Sequence, residues 1–210
     1  MTEHSNIDKK SLGWPKTSLI VFGFLLSLGF FIMFAVPYLL LKPEHIAAFE
    51  GKTFWLITHI ISGSVAIFIG APQLWMGLTG RTGSLHRKLG WVYLAMIAYS
   101  SMTTFYLAVT TSNGWLVGLG LGGLGLAWVL TSGMALLAIL KKKFIMHMEW
   151  MIRSYIVTLG FVFFRLFLGG TIALDIGTMQ ERLIGAAWIC WALPLLLTEV
   201  SIQGRKLIKS

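Results

Sequence analysis

The sequence predicts an all-α polytopic transmembrane bundle of six helices. Hydrophobic residues make up 56% of the 210 positions, charged residues only 12%, and mean hydropathy is +0.78. Charge-poor stretches of about twenty residues or more recur along the chain, each long enough to cross ~30 Å of hydrocarbon at ~1.5 Å per residue. They are separated by short loops that contain most of the lysine and arginine. A soluble sphere of this size has no means of hiding so much apolar surface, so lipid must be the solvent.

The first segment, near 17–41, follows a polar tail over 1–16. It is longer than the ~7–15-residue core of a signal peptide and no small-x-small cleavage site follows, so it is expected to remain as an anchor. The next five lie near 54–78, 88–111, 114–140, 148–173 and 182–203, so the transmembrane domain spans 17–203, with a short tail at 204–210. Twelve basic residues fall on one side of this map, among them Arg81, Arg87, Lys88 and Lys141 to Lys143. Only Lys42, Lys52 and Arg182 fall on the other. The positive-inside rule then places both termini in the cytoplasm. The net charge of +9 is mostly a topology signal, and no nucleic-acid partner is called for. Trp14, Trp75, Trp91 and Trp150 sit near one set of helix ends and Trp55 and Trp115 near the other, as interfacial belts require.

The third segment places His86, Gly90, Tyr93, Ser100 and Thr104 on one helical face. The fourth opens with Gly118, Gly120, Gly122, Gly123 and Gly125, and the second has Ser62, Ala66 and Gly70 at four-residue spacing. Such smooth strips let two backbones approach, or form a wall beside a flat haem or quinone ring. Both readings stay open.

Ionisable residues at membrane depth are costly unless partnered. In the fifth segment, Glu149 and Arg153 have the i,i+4 spacing of a self-neutralising pair. His147 and Arg165, eighteen residues apart, share a face of a straight helix. Arg165 has no acid partner in its own segment and is expected to bind His59, Tyr106 or backbone carbonyls. His86 and His147 both begin inward-to-outward segments after a basic loop, so they are expected at one depth on the cytoplasmic side. Two facing imidazoles can ligate a b-type haem axially or hydrogen-bond a quinone, although histidines at helix ends are also anchors satisfied by water. The candidate cofactor-binding residues are therefore His59, His86, Arg87, Tyr106, His147, Arg153 and Arg165, with His86 and His147 as candidate iron ligands. There is no cysteine pair, no His-x-x-x-His, no Walker loop and no Gly-x-Ser-x-Gly turn.

The series His59, Gly70-Ala-Pro72-Gln73, Leu85-His86-Arg87-Lys-Leu-Gly90, His147-Met-Glu-Trp150-Met-Ile-Arg153-Ser154-Tyr155 and Arg165 resembles the domain-of-unknown-function 2306 family of bacterial membrane proteins. The similarity covers about 55–170. Where that family commonly has His-Arg, this chain has His147-Met148. The resemblance implies a multi-pass protein of the bacterial cytoplasmic membrane and supplies no reaction. A membrane redox protein holding haem b or quinone is the leading functional expectation. A non-catalytic accessory or assembly subunit, bound to a membrane-protein partner or to copies of itself, and a small-molecule transporter are the alternatives.

Overall fold

The computed structural model describes residues 14–209, so the residues before Trp14 in the expected N-terminal tail lie outside it. No strand occurs among the described residues. The first span begins as α1 (Trp14–Phe30), widens into one π-helical turn (Phe31–Ala35) and ends as α2 (Val36–Leu39). Pro37 accounts for the widening, because it has no N–H to return to the carbonyl one turn back. A short α3 (Pro43–Ile46) and a 3-10 turn (Ala47–Phe49) lead into α4 (Thr53–Leu78).

The long helices α4, α5 (Ser84–Val109) and α6 (Trp115–Leu140) each hold 26 residues. The chain reverses between them in tight turns at Gly80 (φ +71°) and Gly114 (φ +89°), conformations that glycine adopts without side-chain strain. These antiparallel neighbours pack in sequence, α4 on α5 and α5 on α6, as short loops require.

The fifth span is broken. In place of one helix over 148–173 there are two, α7 (Phe144–Thr158) and α8 (Gly160–Ala173), bent by 42° at Leu159. Gly160 sits where Leu124 crowds the backbone: a Cβ there would lie 3.0 Å from Leu124 Cδ1. The last helix, α9 (Met179–Lys209), has 31 residues and packs on α6, α7 and α8. Among the described residues, five helices are long and apolar enough to cross a membrane, or six spans when α7 and α8 count as one, in agreement with the expected bundle.

The core is Ala66, Ala71, Tyr93, Ile97, Trp128, Tyr155 and Val157. The glycine strips serve helix packing. A Cβ at Gly70 would lie 2.5 Å from the Tyr155 ring, and one at Gly118 only 2.6 Å from the Ala108 carbonyl oxygen. Gly120 abuts Ala187 and Gly123 abuts Trp191 in the same way. These strips are filled by protein and form no wall for a flat ring.

Candidate functional site

Two sides of the bundle are distinguished by charge. The basic side has the α4–α5 and α6–α7 turns and the end of α9; the far side has the α5–α6 and α8–α9 turns. Between them lies a cluster of buried hydroxyls from three helices. Tyr93 Oη is 3.0 Å from Ser154 Oγ and 2.8 Å from Thr158 Oγ1. Trp128 Nε1 donates to Thr158 Oγ1 at 2.8 Å, and Ser132 Oγ lies 2.8 Å from Ser154 Oγ. Tyr155 Oη donates to the Ile67 carbonyl at 3.3 Å. Hydroxyl groups removed from water need such partners, and here they find one another.

Thr158 and Trp128 also form the floor of a cavity of about 500 Å³ that reaches from mid-depth toward Lys52 and Asn113 on the far side. Its walls come from the π turn, the 3-10 turn, α4, α5, α6 and both halves of the broken span. The helix irregularities at Phe31–Ala35 and Leu159 border it directly. Without them the first and fifth spans would run straight past this space.

His59 and Arg165 both line the cavity. The α5 face read from the sequence holds His59: its Nδ1 lies 3.1 Å from Ser100 Oγ, 3.2 Å from Thr103 Oγ1 and 3.3 Å from Thr104 Oγ1. Thr103 and Thr104 both donate to the Ser100 carbonyl at 2.8 Å, which leaves the Ser100 hydroxyl free to donate to Nδ1 when that nitrogen is unprotonated. The Ser100 carbonyl, 3.3 Å away, can accept from the same nitrogen, so Nδ1 is served in either tautomer, while Nε2 makes no hydrogen bond to the protein among the described residues.

Arg165 does not bind His59, Tyr106 or a carbonyl as expected. Its guanidinium carbon lies 5.0 Å from the ring centre of Phe34, 5.6 Å from Phe161 and 5.9 Å from Phe164. Its Nε is buried with no hydrogen-bond partner. Aromatic faces attract a cation but accept no hydrogen bond in the guanidinium plane, so the donors remain unsatisfied. Tyr106 instead stacks on Trp55 at 4.7 Å. His147 on α7 and Arg165 on α8 lie on either side of the 42° bend at Leu159, about 27 Å apart along the helix path at ~1.5 Å per residue, and serve different regions.

His147 Nδ1 donates to the Ala135 carbonyl at 2.9 Å, and the His86 ring lies beside Gly77 of α4. The His86 carbonyl accepts from Gln73 Nε2 at 2.8 Å, while His86 Nδ1 and Gln73 Oε1 are buried without partners. Arg87 is exposed. Among the described residues no group of three or more His, Cys, Asp or Glu could hold a metal ion. Two imidazoles match the count for axial ligation of a haem and fall short of the three protein ligands of an open zinc site.

The expected Glu149–Arg153 pair does not form. Arg153 turns to α9, where its Nη2 lies 2.6 Å from Glu199 Oε2, with Trp150 stacked 4.6 Å from its guanidinium. Glu149 pairs with Lys206 at 2.8 Å. Sequence spacing favours the local acid, but α9 supplies Glu199 and Lys206 from 46 and 57 positions away. The three phenylalanines around Arg165 also went unread, because nothing in a phenylalanine-rich apolar segment marks which rings meet a cation.

No curated protein and no solved structure matches this chain. A family of predicted membrane proteins, DUF2306, matches residues 56–202, from α4 to the second half of α9. With His59, His86, Arg153 and Arg165 inside a match that covers most of its length, the chain belongs to the DUF2306 family.

Proposed function

We propose that this protein binds a small amphiphile that enters from the far-side half of the bilayer, with its oxygen-bearing headgroup between Arg165 and His59. One observation supports this above the rest: a mostly apolar cavity of about 500 Å³, lined by His59 and Arg165, in which Arg165 Nε is buried without an acceptor. Volumes of ~300–1,000 Å³ with few convergent polar groups are typical of small-molecule sites. The chemical class includes quinones, fatty acids and isoprenyl phosphates, whose headgroups accept hydrogen bonds and whose tails suit the leucine-lined remainder. A quinone is the redox member of this class, so the redox reading rests on the His59–Arg165 cavity. A haem has weaker support, because His59 is the one histidine among the residues lining the cavity and its Nδ1 is already engaged. The His86–His147 pair is the alternative place for it.

Gentle purification in a non-ionic detergent, followed by organic extraction and mass spectrometry, tests the reading. A stoichiometric amphiphile is expected, and loss of the molecule in Arg165→Leu would tie it to the cavity. A Soret band in the absorption spectrum would move the cofactor to His86 and His147. Protein that yields no amphiphile and takes up none from supplied mixtures would end the proposal.

The topology that accompanies it has both termini in the cytoplasm of a cytoplasmic membrane, supported by the twelve basic residues gathered on one side. Reporter fusions at Gly51 and Asn113 should report the outside, and fusions at Gly83 and Lys142 the inside. Reversal at any two of the four would overturn it.

A further inference from the structure

We infer that the headgroup this cavity takes is an anion: the carboxylate or phosphate end of a single-chain amphiphile, seated on Arg165. The inference rests on the reading of the cavity as a ligand site and narrows its chemistry.

Charge is the first argument. Arginine stays protonated under all ordinary conditions, so Arg165 brings a full positive charge to a place bordered by hydrocarbon. The described residues lining the cavity include no aspartate and no glutamate. The other ionisable members, Tyr38, Lys52 and His59, supply no carboxylate. Lys52 itself is engaged at the mouth, where its ammonium donates to the Thr110 carbonyl and ties the start of α4 to the end of α5. Arg165 is therefore a fixed positive charge with no carboxylate among the described residues that line the cavity. A neutral amphiphile would leave that charge standing in a poorly polarisable surrounding, whereas an anion would cancel it.

Geometry is the second. Phe34, Phe161 and Phe164 stand around the guanidinium at 5.0 to 5.9 Å and leave its Nε buried without an acceptor. A guanidinium presents a planar fork of donors that matches the paired oxygens of a carboxylate or phosphate. The sixth span could have supplied a glutamate here, as it does for Arg153 through Glu199. The two deep arginines thus differ in one respect, which is that Arg165 has no acidic partner among the described residues. His59 lines the same space as a second polar group, and Leu107, Leu121, Leu124 and Leu168 form an apolar lining for the tail.

The test uses the full-length protein, delipidated in a non-ionic detergent. Four probes are compared by thermal shift and by native mass spectrometry: oleate, farnesyl monophosphate, oleyl alcohol and decylubiquinone. The expected result is that at least one anion binds tenfold or more tightly than oleyl alcohol. Arg165→Gln should remove that difference, and Arg165→Lys should retain part of it, since the charge stays and the fork is lost. Preference for oleate alone or for farnesyl monophosphate alone supports the inference equally and identifies the headgroup. The wild-type comparison of anion with alcohol needs no variant, so it stands even if Arg165→Gln fails to fold. Oleyl alcohol or decylubiquinone binding as tightly as both anions would overturn the charge argument and leave the cavity reading intact. If none of the four binds, the cavity reading falls, and this inference with it.

Discussion

The Tyr93 hydroxyl cluster and the Arg165 cavity share Thr158 and Trp128 as a common wall, yet they treat polar atoms in opposite ways. On the cluster side, Tyr93, Ser132, Ser154 and Thr158 satisfy one another within 3.0 Å, and neighbouring glycines are pressed against rings and backbone. On the cavity side, a cation and an imidazole line open space. The contrast teaches where this bundle keeps its stability and where it leaves room for something else. Dense, self-satisfied packing tolerates little change, whereas a cavity with unanswered donors is held open at a cost that packing elsewhere must offset.

Substitutions on either side of the shared wall should break or sharpen this contrast. The largest effect is expected at Gly70, where a Cβ would meet the Tyr155 ring at 2.5 Å and Tyr93 at 3.0 Å. Gly70→Leu should cost about 3 kcal/mol or more through overpacking. Monodisperse protein at normal yield would show that the cluster is softer than its geometry implies. Arg165→Leu should act in the other direction. Removing an unsatisfied cation from membrane depth relieves up to about 2.5 kcal/mol on insertion scales, so the unliganded protein should melt no lower than wild type while the bound amphiphile is lost. A marked fall in melting temperature with the ligand retained would make Arg165 a structural residue. Thr158→Val removes the acceptor of Trp128 Nε1 and one partner of Tyr93, and should cost about 2 kcal/mol in a denaturant titration.

Smaller effects complete the comparison. Glu199→Gln leaves Arg153 without its charge partner, but the Glu199 side chain is 42% exposed, so about 1 kcal/mol is expected. Gly63→Ala lies on the cavity wall, where the added methyl would meet only Ser100 Oγ at 3.5 Å. Stability should change by no more than about 0.5 kcal/mol, while binding of any cavity ligand weakens. A large stability change at Gly63 would mean that the cavity closes in the free protein.

The difference between these regions was only partly legible in the sequence. Spans could be read because hydrocarbon thickness and short basic loops constrain them directly. The α5 face was legible for a related reason: helical periodicity places Tyr93, Ser100 and Thr104 together, and the structure uses them for Ser154, Thr158 and His59. The partners of Arg153 and Arg165 were not legible. Local spacing offered Glu149 to Arg153, and only the return of α9 along α7 supplies Glu199 instead. Arg165 seemed to share a face with His147 because nothing in Thr158-Leu159-Gly160 announces a 42° bend. A cavity is a place that side chains fail to fill, and it follows from how helices are broken and tilted rather than from any motif.

The length of α9 has a consequence for the membrane that holds it. At about 1.5 Å per residue, 31 residues extend about 46 Å, against about 30 Å of hydrocarbon, so the helix must lean or project beyond the bilayer. Its projecting end is pinned to α7 by Glu149–Lys206 and, deeper, by Arg153–Glu199. A leaning rod fastened at two depths responds to hydrophobic mismatch. In a thicker bilayer it stands more upright and draws the deeper fastening into lipid; in a thinner one it tilts and brings that fastening into water. The protein's stability should therefore depend on acyl-chain length, with an optimum where Glu199 rests at the headgroup boundary.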